Sequence, residues 1–146
     1  MNVWKFLSTC AYIGYLPYAP GSWCSIIFLL IWFYAPLNTT IQFLIILFFF
    51  VIGIISSKKT SLLLSRKDPS EIVIDEALGI LISLFMLPKN IILCLIALFI
   101  FRLLDIFKPS IIYSIQNIPG GLGIILDDVI AGIITCIICH GLTSIL

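Results

Sequence analysis

Residues 6–57 carry no charged side chain, an unbroken run of 52 between Lys5 and Lys58. Roughly 20 apolar residues cross a bilayer as a helix, so this run is too long for any core helix of a soluble domain. The rest of the chain agrees. It is 62% hydrophobic and 10% charged, where a soluble domain carries about a quarter charged residues. That excludes a nucleic-acid binder, a disordered regulator and an ordinary cytosolic globule. The expected fold is all-α, a polytopic integral membrane helix bundle, and 146 residues suit one domain, 1–146.

Breakers and charges divide the chain into about five expected spans: 22–35, 41–55, 71–87, 91–107 and 124–145. The polar stretch Ser56 to Ser70 holds Lys58, Lys59, Arg66 and Lys67, so it is expected inside, with the N-terminus inside as well. Seven cationic residues then sit at or near the inner face, and only Lys89 opposes them. The first span is expected to begin within an N-terminal re-entrant piece. Cys10, Cys24, Cys94, Cys136 and Cys139 lie in apolar runs and read as small buried residues rather than disulfides. The apolar stretch before Cys10 is too short for a lipoprotein signal. Cys136-Ile137-Ile138-Cys139-His140 has the form of a haem attachment pattern. It lies in an uncharged stretch that leaves little chain to wrap a haem, so buried helix residues are expected there.

All seven acids fall in three short clusters, each at the expected inner end of a span. Asp68, Pro69 and Glu71 have the spacing of N-cap, N1 and N3, which predicts a capping box. Asp75 and Glu76 lie beyond the reach of that cap, where an acid in an apolar helix costs about 2.5–3.5 kcal/mol. Asp105, Asp127 and Asp128 are equally unneeded for capping. Acids retained at such cost are candidates for function. Arg102, Asp105 and Lys108 recur every three residues and share one side of a helix, as a salt-bridge ladder, as part of a site, or as both. Asp127 and Asp128 stand about 100° apart on a helix. They must face different partners or share a cation, and Mg²⁺ is a natural one because it takes oxygen ligands.

Two glycine-containing stretches could add backbone donors for an anion: Gly120-Gly121-Leu122-Gly123, and the segment 15–25 with Gly21, Ser22 and Ser25. Cations, glycine turns and carboxylates at one face suit a phosphate ester site with a metal.

Four stretches together resemble the phosphatidylglycerophosphatase A family of bacterial membrane lipid phosphatases. They are Gly14 to Ser22, Asp68-Pro69 through Gly79, Phe101 to Pro109, and Gly120 through Asp127-Asp128 to Gly132. They occur in the family's order and cover most of the chain. Ser22 stands where the family usually has Thr, Cys24 where it has Gly, and Ile111 where it has Pro. The resemblance implies Mg²⁺-dependent hydrolysis of phosphatidylglycerophosphate to phosphatidylglycerol and phosphate, a step of phospholipid biosynthesis. It would take place at the cytoplasmic face of the bacterial inner membrane.

The residues favour a metal route on their own account. There is no Cys-x₅-Arg nucleophile pattern, no Asp-x-Asp, and a single histidine. Asp75, Glu76, Asp105, Asp127 and Asp128 are the expected metal ligands or base. Arg102 and Lys108 are expected on the phosphate, with Ser22, Ser25, Gly120, Gly121 and Gly123 as hydrogen-bond donors. A small ion or proton transporter is the alternative; it would string acids across the bilayer depth. A noncatalytic subunit would leave the deeper acids without a use. The division of ligand from base, the number of metal ions, the oligomeric state and action on related lipid phosphates stay open at this level.

Overall fold

Three asparagines begin three helices. Asn2, Asn38 and Asn90 each accept a backbone N–H from the first turn they precede, as N-cap side chains do. A computed structural model describes residues 2–36, 38–108 and 120–145. These form six α-helices: α1 Val3–Ser8, α2 Pro20–Tyr34, α3 Thr39–Leu64, α4 Ile74–Ser83, α5 Ile91–Phe107 and α6 Gly121–Ile145. No strand occurs among the described residues. The all-α expectation holds.

Successive helices from α2 to α6 run antiparallel. The starts of α2, α4 and α6 meet the end of α5 around one cavity, and the start of α6 lies against α3 near Ile54 and Lys58. The short α4 is the centre and touches α2, α3, α5 and α6. Its Ala77, Leu78 and Ile80 are wholly buried.

The bundle hides small and polar groups and shows apolar ones. On α3, Gln42, Gly53, Ser56, Ser57 and Thr60 face inward. Phe43, Leu44, Leu47, Phe48, Val51 and Ile55 form an exposed stripe at helical spacing. A surface of this kind needs lipid rather than water beside it. α3 and α6 are long and apolar enough to cross a membrane. α2 and α5 are also apolar but have 15 and 17 residues. α4 has ten residues, about 15 Å of helix, so residues 71–73 and 84–87 of the expected span are not helical. Its far end turns at Met86 in a left-handed conformation, φ 58°. The backbone groups of this turn are met from both sides. Gln42 Oε1 accepts from Met86 N at 3.0 Å, and His140 Nε2 lies 3.0 Å from Phe85 O. Irregular backbone at membrane depth requires such partners, and this gives His140 a structural use.

Two local expectations are overturned. α3 does not stop at Ile55 but continues as helix through Lys58 and Lys59 to Leu64. The reason is tertiary: α1 packs on it there, with Ser8 Oγ and Thr60 Oγ1 buried and 2.8 Å apart. The capping box is not formed either. α4 begins at Ile74 after Val73, with no side-chain cap, and Glu71 pairs instead with Arg66 at 2.5 Å. Before α2 the N-terminal residues form α1 and a 3₁₀ turn, Ile13–Tyr15. Pro109, Ser110, Ile111 and Pro119 lie outside the described residues.

Candidate active site

The late start of α4 has a chemical consequence: Asp75 and Glu76 stand in its first turn, at the open end of the bundle. Opposite them are Asp127 and Asp128 on α6, and Arg102, Asp105 and Lys108 at the end of α5. Together they surround a cavity of about 300 Å³. The wall is completed by Ala19, Pro20 and Gly21 before and at the start of α2, and by the segment from Asp68 to Ile72. Six carboxylates and two cations line it.

The acids divide by partner. Asp127 Oδ2 takes Lys108 Nζ at 2.6 Å, and its Oδ1 accepts from Asp128 N at 3.1 Å. Asp105 Oδ2 takes Arg102 Nη1 at 2.5 Å, and the same Nη1 lies 3.8 Å from Glu76 Oε1. So the Arg102–Asp105 rung of the ladder forms, while Lys108 turns away to α6. Burial works against the charge on Lys108, but Asp127 outweighs it and holds the ammonium pKa above the ordinary lysine range.

Asp75, Glu76 and Asp128 form a second group. One carboxylate oxygen from each lies within 4.8 Å of the other two. Each of the three also has a buried oxygen without a hydrogen-bond partner: Asp75 Oδ1, Glu76 Oε2 and Asp128 Oδ2. Buried, unpaired carboxylate oxygens are costly, and neighbouring ones repel. A hard divalent cation relieves both penalties at once and takes oxygen ligands. The donor set therefore fits a metal ion. Adjacent residues Asp127 and Asp128 do face different partners, one Lys108 and the other Asp75 and Glu76.

Other expected site residues serve packing. Ser25 is buried and donates to Gly21 O at 2.9 Å. Gly120 turns the chain at φ 89°, and Gly123 N closes that turn on Gly120 O at 3.2 Å. A methyl group on Gly121 would stand 2.1 Å from Ile54 O, so this glycine lets α6 lie against α3. None of Ser25, Gly120, Gly121 and Gly123 lines the cavity. Ser22 lines a neighbouring groove that also reaches Arg102.

The structure gives Asp68 and Gly21 uses other than those their sequence context suggests, and adds Gly79 and Gly132. Asp68 lines the cavity instead of capping α4. Gly21 is there to make room: a methyl group on it would lie 1.9 Å from Glu76 Oε1. Gly79 and Gly132 bring α4 and α6 together, for a methyl group on Gly132 would stand 2.6 Å from Gly79 O. Asp75 and Asp128 each sit one helical turn before those glycines. Helix spacing could have flagged that last relation, at i and i+4 in both helices.

Acids near only one end do not make a relay across the bundle, which leaves the transporter reading unsupported. Residues 6–143 match the family model described as phosphatidylglycerophosphatase A. The chain is 34% identical over 135 residues to a provisionally named phosphatidylinositol-3-phosphatase of Bacteroides thetaiotaomicron, covering 86% of this chain and 84% of that protein. It is 33% identical over 137 residues to phosphatidylglycerophosphatase A of Escherichia coli K12, covering 92% and 80%. To phosphatidylglycerophosphatase A of Haemophilus influenzae it is 32% identical over 129 residues, covering 86% and 79%. No solved structure matches the chain.

Proposed function

The chain belongs to the phosphatidylglycerophosphatase A family, and from that premise we propose that it hydrolyses phosphatidylglycerophosphate to phosphatidylglycerol and inorganic phosphate. The reaction is a step of phospholipid biosynthesis and depends on Mg²⁺. The protein works as one domain with five spans in the bacterial cytoplasmic membrane, its N-terminus and active site facing the cytoplasm. The observation that carries the reading is the cavity itself. Three partnerless carboxylate oxygens stand beside two cations, each already anchored by an acid of its own.

Asp75, Glu76 and Asp128 would hold the metal. When bound, such an ion lowers the pKa of a coordinated water and neutralises charge on the phosphoryl oxygens. Arg102 and Lys108 bind the phosphate, where guanidinium and ammonium donors make charge-assisted hydrogen bonds. Asp105 and Asp127 keep those two side chains aimed and are the carboxylates available to accept a proton from water. The water oxygen bonds to phosphorus, the ester P–O bond breaks, and the glycerol oxygen leaves with a proton.

Orientation is supported by charge. Lys58, Lys59, Arg66 and Lys67 lie at the same end as the cavity, while Lys89 caps the opposite end against the Ala35 carbonyl. Cationic loops stay cytoplasmic.

The test is phosphate release by purified protein from phosphatidylglycerophosphate and from phosphatidylinositol 3-phosphate, with Mg²⁺ or with a chelator. Turnover of the first lipid that a chelator abolishes is the expected result. Preference for the inositol lipid would replace the substrate, and turnover indifferent to chelation would remove the metal.

A further inference from the structure

Arg102 belongs to two cavities. One is the acidic cavity; the other is a groove between α2 and α5, of about 270 Å³, lined by Ser22, Ile26, Leu95, Leu98, Phe99 and Arg102. We infer that this groove seats an acyl chain of the lipid substrate, which enters sideways from the bilayer and meets the acidic cavity at Arg102. The inference rests on the proposed lipid phosphatase activity and adds where the lipid lies.

The groove has the polarity that a phosphate monoester lipid needs. Leu95, Leu98, Phe99 and Arg102 lie on one side of α5 at offsets of three and four, so their side chains form a continuous row. From Leu95 to Arg102 the row rises about 10 Å. It begins at a cation and runs into purely apolar surface away from the charged end of the bundle. Ser22 and Ile26 face it from α2 at the same helical spacing. α5 packs closely on α6 and only lightly on α2, which leaves this seam open on its outer side. Leu95 is 53% exposed and Phe99 67% exposed, although both sit on a helix whose other face is core.

Continuity is what selects an acyl chain of the substrate over any other occupant. Two further apolar grooves, one beside Phe43, Ile82 and Ile137 and one beside Leu7, Ile27 and Phe48, share no lining residue with the acidic cavity. Of these three grooves the α2–α5 groove is the one that joins it, and it joins at a side chain placed to hold phosphate. A lipid lying along this groove has its anionic head at Arg102 and its tail against Ile26 and Leu95. The soluble part of the substrate needs none of it.

Two measurements test this. First, Ile26→Trp and Leu95→Trp fill the groove. Each is expected to raise KM for long-chain phosphatidylglycerophosphate about tenfold more than KM for a dibutanoyl analogue, with kcat little altered, since such binding is shared by ground and transition states. Equal effects on both substrates, or no effect on either, overturn the inference. Second, wild-type protein is irradiated with phosphatidylglycerophosphate carrying a diazirine on its acyl chain. Adducts on the peptides holding Ile26, Leu95 and Phe99 are expected; adducts confined to the other two grooves overturn it, whatever the variants do. Failure of wild-type protein to release phosphate from any lipid tested would instead refute the activity on which the inference stands.

Discussion

Gly21 lies flush against the carboxylate of Glu76, so close that a methyl group at position 21 would stand 1.9 Å from Oε1. The obstacle is the end of a flexible side chain, so the fold can absorb it while the site cannot. Gly21→Ala is expected to lower phosphate release by about a hundredfold, the scale of a 1 Å misplacement of a reacting group. Thermal unfolding in detergent should move little. Activity lost only in step with folded protein would reduce Gly21 to a packing role.

The acidic trio predicts how metal and stability are linked. An ion at one hundred times its dissociation constant stabilises the folded chain by about 2.7 kcal/mol. Unfolding of the wild type in rising Mg²⁺ should show that gain. Asp75→Asn, Glu76→Gln and Asp128→Asn should each need about tenfold more metal or beyond. Without metal, each should be more stable than the wild type, because one buried repelling charge has gone. Wild-type protein indifferent to Mg²⁺ would contradict the assignment.

Lys108 and Asp127 should behave as a unit. Asp127 is 4% exposed, and losing its only cation through Lys108→Met leaves a buried charge, a change that costs about 3–5 kcal/mol. Adding Asp127→Asn should recover most of that stability but none of the activity. A double variant with wild-type turnover would take both residues out of the site.

The Arg66–Glu71 pair makes a pH prediction. Arg66 holds the Glu71 carboxyl below its usual range. A depressed carboxylate stabilises the fold above its unfolded value of about 4.3 and loses that contribution as pH falls through the folded value. Because Arg66 is half exposed, Arg66→Ala should cost below about 1 kcal/mol at neutral pH. The difference from wild type should close in acid. A constant difference across that range would mean that Arg66 acts by packing.

Topology can be read from single cysteines added to a protein whose native cysteines are replaced by serine. Lys59→Cys and Lys67→Cys should react with an impermeant thiol reagent only after the cytoplasmic side is opened. Lys89→Cys should react in intact cells. The reverse pattern would invert the protein.

Helix positions and the gathering of acids at one end were legible because apolar length and charge placement are properties of sequence alone. What was not legible depended on partners distant in the chain. Lys58 and Lys59 looked like loop residues, yet α1 packs beside them, with Ser8 against Thr60, and the helix continues. Asp68 and Glu71 had the spacing of a cap, but Arg66 outbid the helix end for Glu71 and the cavity claimed Asp68. The five acids looked equivalent; only the reach of Lys108 to Asp127 and of Arg102 to Asp105 divided them. Glycines resisted most, because Gly120 to Gly123 suggested anion binding from composition while Gly21 acts through the space it leaves.

The crossing of Gly79 and Gly132 gives the acidic trio a spacing that no side chain adjusts. Asp75 and Asp128 each ride one turn from a crossing where two glycines let backbone meet backbone, with the Phe101 ring pressed against Gly79, so their separation is set like the jaw of a fixed gauge. Drift elsewhere in the bundle can be corrected by exchanging one side chain for another, but a gauge without an adjustable part can only be kept or lost. Variation in a library of this protein should therefore stop abruptly at positions 79 and 132, while exposed apolar positions such as Ile133 and Ile137 vary freely.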